Sequence, residues 1–134
     1  MTKRAKAILD SYVLVDILRG NKHDLTKKTA DINITECGIA DLTRFELLNG
    51  AYLSKEKEKN IKLVTELCKQ FKEWNSASGF DLAAKEKARL KNEGLLIPDI
   101  DLFIGCMCSA NNIPLITGNI KHMERISGIK IIKW

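Results

Sequence analysis

The stretch ILDSYVLVDILRG, Ile8 to Gly20, decides the fold. It follows Ala7 with Ile8-Leu9, a short apolar run that fits a fully buried strand, and then changes at once to a helical pattern. Ser11 offers an N-cap, Val13, Leu14, Ile17 and Leu18 fall on one side at helical spacing, and Arg19-Gly20 brings a cation and a stop. The stretch is therefore a strand–helix junction with Asp10 at the carboxyl end of the strand. The second acid, Asp16, lies away from the Leu14/Leu18 side and three residues before Arg19, which predicts a solvated i,i+3 pair.

The same pattern continues downstream. A short helix is expected over Leu25–Ile32 and a second strand over Ile34–Ala40, interrupted by Gly38. Thr43-Arg44-Phe45-Glu46 is a capping-box pattern, opening a helix that ends near Gly50. From Ser54 a long amphipathic helix sets Ile61, Val64, Leu67, Cys68 and Phe71 on one face and leaves the alternating charges Lys55 to Lys59 in solvent. Trp74 to Gly79 is a turn-rich break with room for a short third strand just before it; Phe80, Ala84 and Ala88 mark another helix, closed by Glu93-Gly94. Pro98-Asp99 introduces a helix from about Ile100 to Asn111, with Asp99 as N-cap, whose apolar residues surround the axis and predict burial on nearly all sides. Ile113–Thr117 and Ile129–Trp134 read as the last strands, separated by Gly118–Gly128. Strands alternating with helices predict an α/β fold with a central, mainly parallel sheet covered on both faces, in one domain spanning residues 1–134.

At 45% hydrophobic and 29% charged, 134 residues suffice for one soluble domain with a substantial core. Lys and Arg outnumber Asp and Glu by 22 to 17, a net charge of +5 that favours a polyanionic partner. No apolar run reaches the ~18 residues of a membrane span. No membrane partner is expected, and the N-terminus reads as a mature cytosolic start. Cys37, Cys68, Cys106 and Cys108 form no C-x-x-C pair, and with only His23 and His122 beside them the spacing of a structural zinc site is missing; reduced, buried cysteines are expected. Phosphate-loop, dinucleotide and nucleophile-elbow motifs are absent. The S-x-x-K matches at Ser54/Lys57 and Ser127/Lys130 are short enough to arise by chance, and His122 without a positioned nucleophile makes no triad.

In an open α/β sheet, ligands bind beyond the carboxyl ends of the strands, at a topological switch point. Asp10 ends strand one, Glu46 follows strand two, Asp101 begins the buried helix, and Thr117-Gly118-Asn119 ends a later strand. If those ends share one crevice, three carboxylates and an amide converge there. Such a cluster cannot stay fully ionised unless a cation offsets the repulsion. Mg2+ or Mn2+ suits all-oxygen ligands, takes one or two carboxylates directly, and can activate water against a phosphodiester. Each residue also has a structural role open to it: Asp10 in the next turn, Glu46 in the capping box, Asp101 at a helix N-terminus. Gly105, one turn beyond Asp101, would leave space for a ligand.

Taken in order, these segments resemble the PIN-domain ribonucleases, and in particular VapC-like toxins of bacterial and archaeal toxin–antitoxin pairs. The resemblance rests on Leu9-Asp10-Ser11 with Val13 to Gly20, Thr43-x-x-Glu46-Leu47-x-x-Gly50, Ile97-x-x-x-Asp101-x-x-Ile104, and Leu115-Ile116-Thr117-Gly118-Asn119 followed by His122 to Ile126. It covers almost the whole chain. It implies a PIN-like three-layer sandwich of about four to five strands, and endonucleolytic cleavage of RNA with Mg2+ or Mn2+. By the same resemblance, Asp10, Glu46 and Asp101 correspond to the family's acidic active-site and metal-ligand positions. Thr117 and Asn119 would orient water or the substrate phosphate, with Arg19 and Arg44 as candidate backbone contacts. Partners implied are an RNA substrate, a cognate antitoxin and a second copy in a homodimer. The family often carries a fourth acid where Asn119 stands; an amide oxygen is a weaker, neutral ligand, which weakens the case for a second metal. Gly105 likewise replaces the more usual Ala. A structure-specific DNA nuclease on the same fold, or a noncatalytic nucleic-acid or protein-binding module, are the alternatives.

Overall fold

The computed structural model describes residues 4–19, 28–29 and 32–134. Strand β1, Ile8–Leu9, is the centre of a five-stranded parallel sheet. It is flanked by β4 (Gly38–Ala40) on one side and β6 (Leu115–Thr117) on the other, with β5 (Lys72–Trp74) and β7 (Ile131–Lys133) at the edges. The order β5-β4-β1-β6-β7 means that the chain builds outward from β1 in one direction and then returns to build in the other. The reversal lies between β1 and β6, where Ile8 faces Leu115 and Leu9 faces Ile116 in register.

Successive strand residues point to opposite faces, so each strand feeds two cores. Leu9, Ile39 and Ile116 pack with α1 (Ser11–Leu18), α2 (Asp41–Leu53) and α3 (Lys57–Cys68) through Val13, Leu14, Leu47, Val64 and Leu67. Ile8, Ala40 and Leu115 pack with α4 (Phe80–Glu93), α5 (Asp99–Ala110) and α6 (Ile120–Met123) through Leu90, Leu102, Ile104, Met107 and Met123. This is the expected three-layer α/β sandwich with its parallel sheet. Each fully buried Ile or Leu contributes on the order of 1.5–3 kcal/mol, so the paired cores stabilise the sheet despite strands of only two or three residues. Helix α5 is buried on nearly every side, as its sequence predicts. Among the described residues no helix is long and apolar enough to cross a membrane.

Several boundaries differ from the sequence reading. The helix expected over Leu25–Ile32 falls partly outside the described residues; within them, β2 (Lys28–Thr29) pairs antiparallel with β3 (Ile32–Asn33), a pairing that suits the β-branched Ile32. The second strand is confined to Gly38–Ala40, because Ile34–Glu36 tightens into a 3-10 turn. Gly38 does not interrupt it: a Cβ there would stand 2.9 Å from both the Lys72 carbonyl oxygen and the Trp74 indole, so glycine is what lets β5 approach. Helix α2 starts at Asp41 and continues to Leu53, which makes Thr43 a buried third residue of the helix and not its cap. Helix α3 begins at Lys57, while Ser54 closes α2 by donating to the Ala51 carbonyl at 2.6 Å. Pro98, not Asp99, occupies the N-cap of α5, and Asp99 pairs with Lys87 at 2.9 Å. All four cysteines are free and buried.

Candidate active site

The chain reversal between β1 and β6 places the next residue of each strand side by side. Asp10 follows β1 and is 2% exposed; Thr117 ends β6 and is fully buried. The Thr117 hydroxyl donates to Asp10 Oδ2 and accepts the Asn119 backbone N–H at 2.8 Å. On the other side, Ser11 Oγ lies 2.9 Å from Glu46 Oε1 and 3.3 Å from Asp10 Oδ1, so one hydroxyl ties the strand end to helix α2. Glu46 is thereby free of any capping duty: its carboxylate turns toward Asp10, and the cap geometry that would have occupied it does not form.

Asp101 comes to the same place from the first turn of α5. Its Oδ2 accepts from the Asn119 side-chain amide at 3.2 Å and lies 3.2 Å from His122 Nδ1. A carboxylate needs donors, so Asn119 presents its NH2 group and His122 serves Asp101 best with the proton on Nδ1. Asn119 thus holds Asp101 in place with its donor end and does not present the amide oxygen expected of a fourth ligand. His122, which as a lone histidine makes no triad, is part of this network because α6 is a single turn that brings it back over Asp101. Only the three-dimensional course of that turn reveals it.

Asp10, Ser11, Asp101, Gly118 and Asn119 line a cavity of about 430 Å³, with Tyr12, Val15, Asp16 and Arg19 on its α1 wall. Glu46 borders the adjoining groove, in which Val15 and Arg19 also take part. Burial raises the Asp10 carboxyl above its ordinary value, the Thr117 hydrogen bond works against this, and the Asp101 charge pushes it further up. Glu46 is raised for the same reasons, by burial first and then by Asp101 and Asp10, with Ser11 opposing. Asp10 and Glu46, both raised in part by the Asp101 charge, form with it an all-oxygen donor set that fits a hard divalent cation. Among the described residues no three His, Cys, Asp or Glu side chains close into a ready-made ligand cage. Asp10 and Asp101 are the side chains that could hold such an ion.

Two other sequence expectations change. Asp16 is not a solvated partner of Arg19: its Oδ2 accepts from the Trp134 indole N–H at 2.9 Å. The space beside Gly105 is filled by protein and not by a ligand, since a Cβ there would stand 2.2 Å from Ile126 Cδ1 and 3.3 Å from Met123 Sδ. Arg44 bonds Glu73 on β5, outside the acid cavity.

A parallel α/β sandwich whose switch point gathers acids from β1, α2 and α5 defines the PIN-domain architecture. The PIN domain family profile matches residues 7–129, and the chain belongs to that family. Over 96% of its length it is 29% identical to ribonuclease VapC1 of Methanocaldococcus jannaschii, covering 88% of that protein. It is 23% identical to the tRNA(fMet)-specific endonuclease VapC of Salmonella typhimurium, covering 96% of this chain and 98% of that one. The crystal structure of DNA-bound VapBC from Salmonella typhimurium superposes with a TM-score of 0.82 at 20% identity, over 98% of this chain and 99% of that chain, and shares the fold.

Proposed function

We propose that this protein is a metal-dependent endoribonuclease, the toxin component of a type II toxin–antitoxin pair, acting as a single domain over residues 1–134. The observation that carries the reading is the meeting of Asp10, Glu46 and Asp101 at the switch point, with Asp10 and Glu46 both raised by burial and by the Asp101 charge. The names of its VapC relatives support RNA as substrate, and the description of a similar solved structure as a member of the VapBC family of toxin–antitoxin systems supports an antitoxin as partner. A homodimer and a cytoplasmic location complete the proposal.

Asp10 and Asp101 would hold Mg2+ or Mn2+, with Glu46 in the outer shell. When bound, the ion supplies charge neutralisation, polarises a phosphoryl oxygen and makes water more acidic. The chain's own residues do the rest. Thr117 and Ser11 hold the two oxygens of Asp10, and Asn119 and His122 fix Asp101, so the acids face the cavity in defined directions. Glu46 would accept a proton from an attacking water, a role that its raised proton affinity suits. Arg19, exposed on the cavity wall, is placed to meet a substrate phosphate.

The test is cleavage of defined single-stranded RNAs by purified protein freed of antitoxin, with Mg2+ or Mn2+, alongside EDTA and the variants Asp10→Asn and Asp101→Asn. RNA cleavage that needs the ion and both acids is expected. Equal activity in the folded variants, or cleavage of DNA but not RNA at matched salt, would overturn the assignment.

A further inference from the structure

We propose that Tyr12 forms a stacking subsite for a nucleobase of single-stranded RNA at the mouth of the acid cavity. The inference rests on the nuclease reading and names how that site grips its substrate. Tyr12 directly follows Asp10-Ser11, lines the same cavity as Asp10, Asp101 and Asn119, and is 57% exposed. Phe45 and Tyr52 are as exposed but lie outside the acid cavity, whereas Tyr12 lines it.

The ring is seated, not loose. Its Cε1, Cδ1 and Cζ atoms lie 2.5, 2.8 and 3.1 Å from where a Cβ on Gly118 would stand. Any side chain at 118 would push the ring off its seat. Gly118 stands between Thr117 and Asn119, so the ring is referenced to the residues that position Asp10 and Asp101.

The chemistry of the cavity calls for such a contact. Its acids repel a phosphodiester in the absence of a cation, so any binding without one draws on other groups. Arg19 offers charge, and an exposed tyrosine offers a surface on which any base can stack. Bases in an A-form duplex are already stacked and lie out of reach, so this subsite selects unpaired RNA. A base held on Tyr12 would set its own backbone phosphate next to Asp10 and Asp101.

The experiment compares wild type with Tyr12→Ala, Tyr12→Leu and Tyr12→Phe, using a short single-stranded RNA that carries 2-aminopurine at each position in turn. Binding is read in EDTA by quenching of the 2-aminopurine, and KM and kcat in Mg2+ or Mn2+ by cleavage. Stacking predicts a position-dependent quench with wild type and Tyr12→Phe that is lost with Ala and Leu. It also predicts a KM increase of about 10- to 100-fold for Ala and Leu, larger than any fall in kcat. Leu keeps an apolar group beside Gly118 but has no ring face, so a quench present with wild type and Tyr12→Phe and lost with Leu reports the ring. Wild-type quench abolished by Tyr12→Leu with no cleavage by any form would support the subsite while the nuclease reading fails. Wild-type RNA cleavage with no quench, or with the same KM in Tyr12→Leu, would overturn the subsite and leave the nuclease reading standing.

Discussion

Thr117 and Asp10, 107 positions apart in the chain, are joined by a buried hydrogen bond across the seam between β6 and β1. The register Leu9 to Ile116 makes them neighbours, and the reversal of strand order makes their seam a crevice. Because the Thr117 hydroxyl also accepts the Asn119 N–H, its proton can point only toward Asp10. One side chain therefore aligns the acid of β1 with the loop that positions Asp101.

Replacing Thr117 by Val keeps the shape and removes that donor. Hydrogen bonds to charged groups are worth roughly 1.5–3 kcal/mol, so RNA cleavage should fall about 10- to 100-fold while the fold survives. Thr117→Ser should recover most of the loss. Initial rates on one RNA, with circular dichroism as the folding control, decide it; a Val variant as active as wild type would show that Asp10 needs no such alignment.

Asp10 also ties function to stability. In the metal-free protein its folded-state proton affinity is raised above that of the unfolded chain, so between the two values the folded state holds more protons. Stability then falls as pH rises through that window, and the ionised carboxylate opposes folding above it. Asp10→Asn removes the charge. In EDTA its melting temperature should exceed that of wild type at neutral pH, and the difference should shrink as the pH falls below the ordinary carboxylate range. A wild-type protein more stable than Asp10→Asn at neutral pH in EDTA would contradict this.

The parts of the site legible in the sequence were those fixed by local pattern. Asp10 stood out because an apolar run stops at it and a helix begins, and Asp101 because it leads a helix with no polar face. Glu46 was open to two readings, since the capping-box spacing from Thr43 is real in sequence but the helix begins two residues earlier. His122 and the donor role of Asn119 were beyond reach, because they depend on one turn of helix folding back over α5. The two interior glycines were misread for a related reason. Space left at a glycine is visible in sequence, but what fills it, β5 at Gly38 and Ile126 at Gly105, is a matter of tertiary packing.

Asp16 separates the two aspartates of the opening stretch by experiment. It borders the cavity, yet its carboxylate is engaged by the indole of Trp134, whose backbone N–H also bonds the Thr117 carbonyl at 3.1 Å. This side chain links α1 to the end of β7. Asp16→Ala should cost about 0.5–1.5 kcal/mol of stability in chemical denaturation, below the range for a fully buried bond to a charge because this pair is only part-buried, and change kcat by less than about threefold. A variant as inactive as Asp10→Asn but fully stable would make Asp16 part of the reacting machinery.

Glycines 79 and 105 make an opposed pair. A Cβ on Gly79 would stand 2.4 Å from the Met107 backbone nitrogen and 2.6 Å from its Cα, where the turn before α4 crosses α5. Backbone cannot yield there without displacing α5, which carries Asp101. Gly79→Ala should therefore cost about 3 kcal/mol, the upper end of overpacking, and lower activity through Asp101. At Gly105 the nearest atom is the tip of Ile126, which can rotate, and alanine favours the helix by about 1 kcal/mol. Gly105→Ala should fall within about 1 kcal/mol of wild type, with activity retained. Urea denaturation of both variants tests the contrast. Equal losses at the two positions would mean that the crossing of α5 over residue 79 is looser than its backbone distances require.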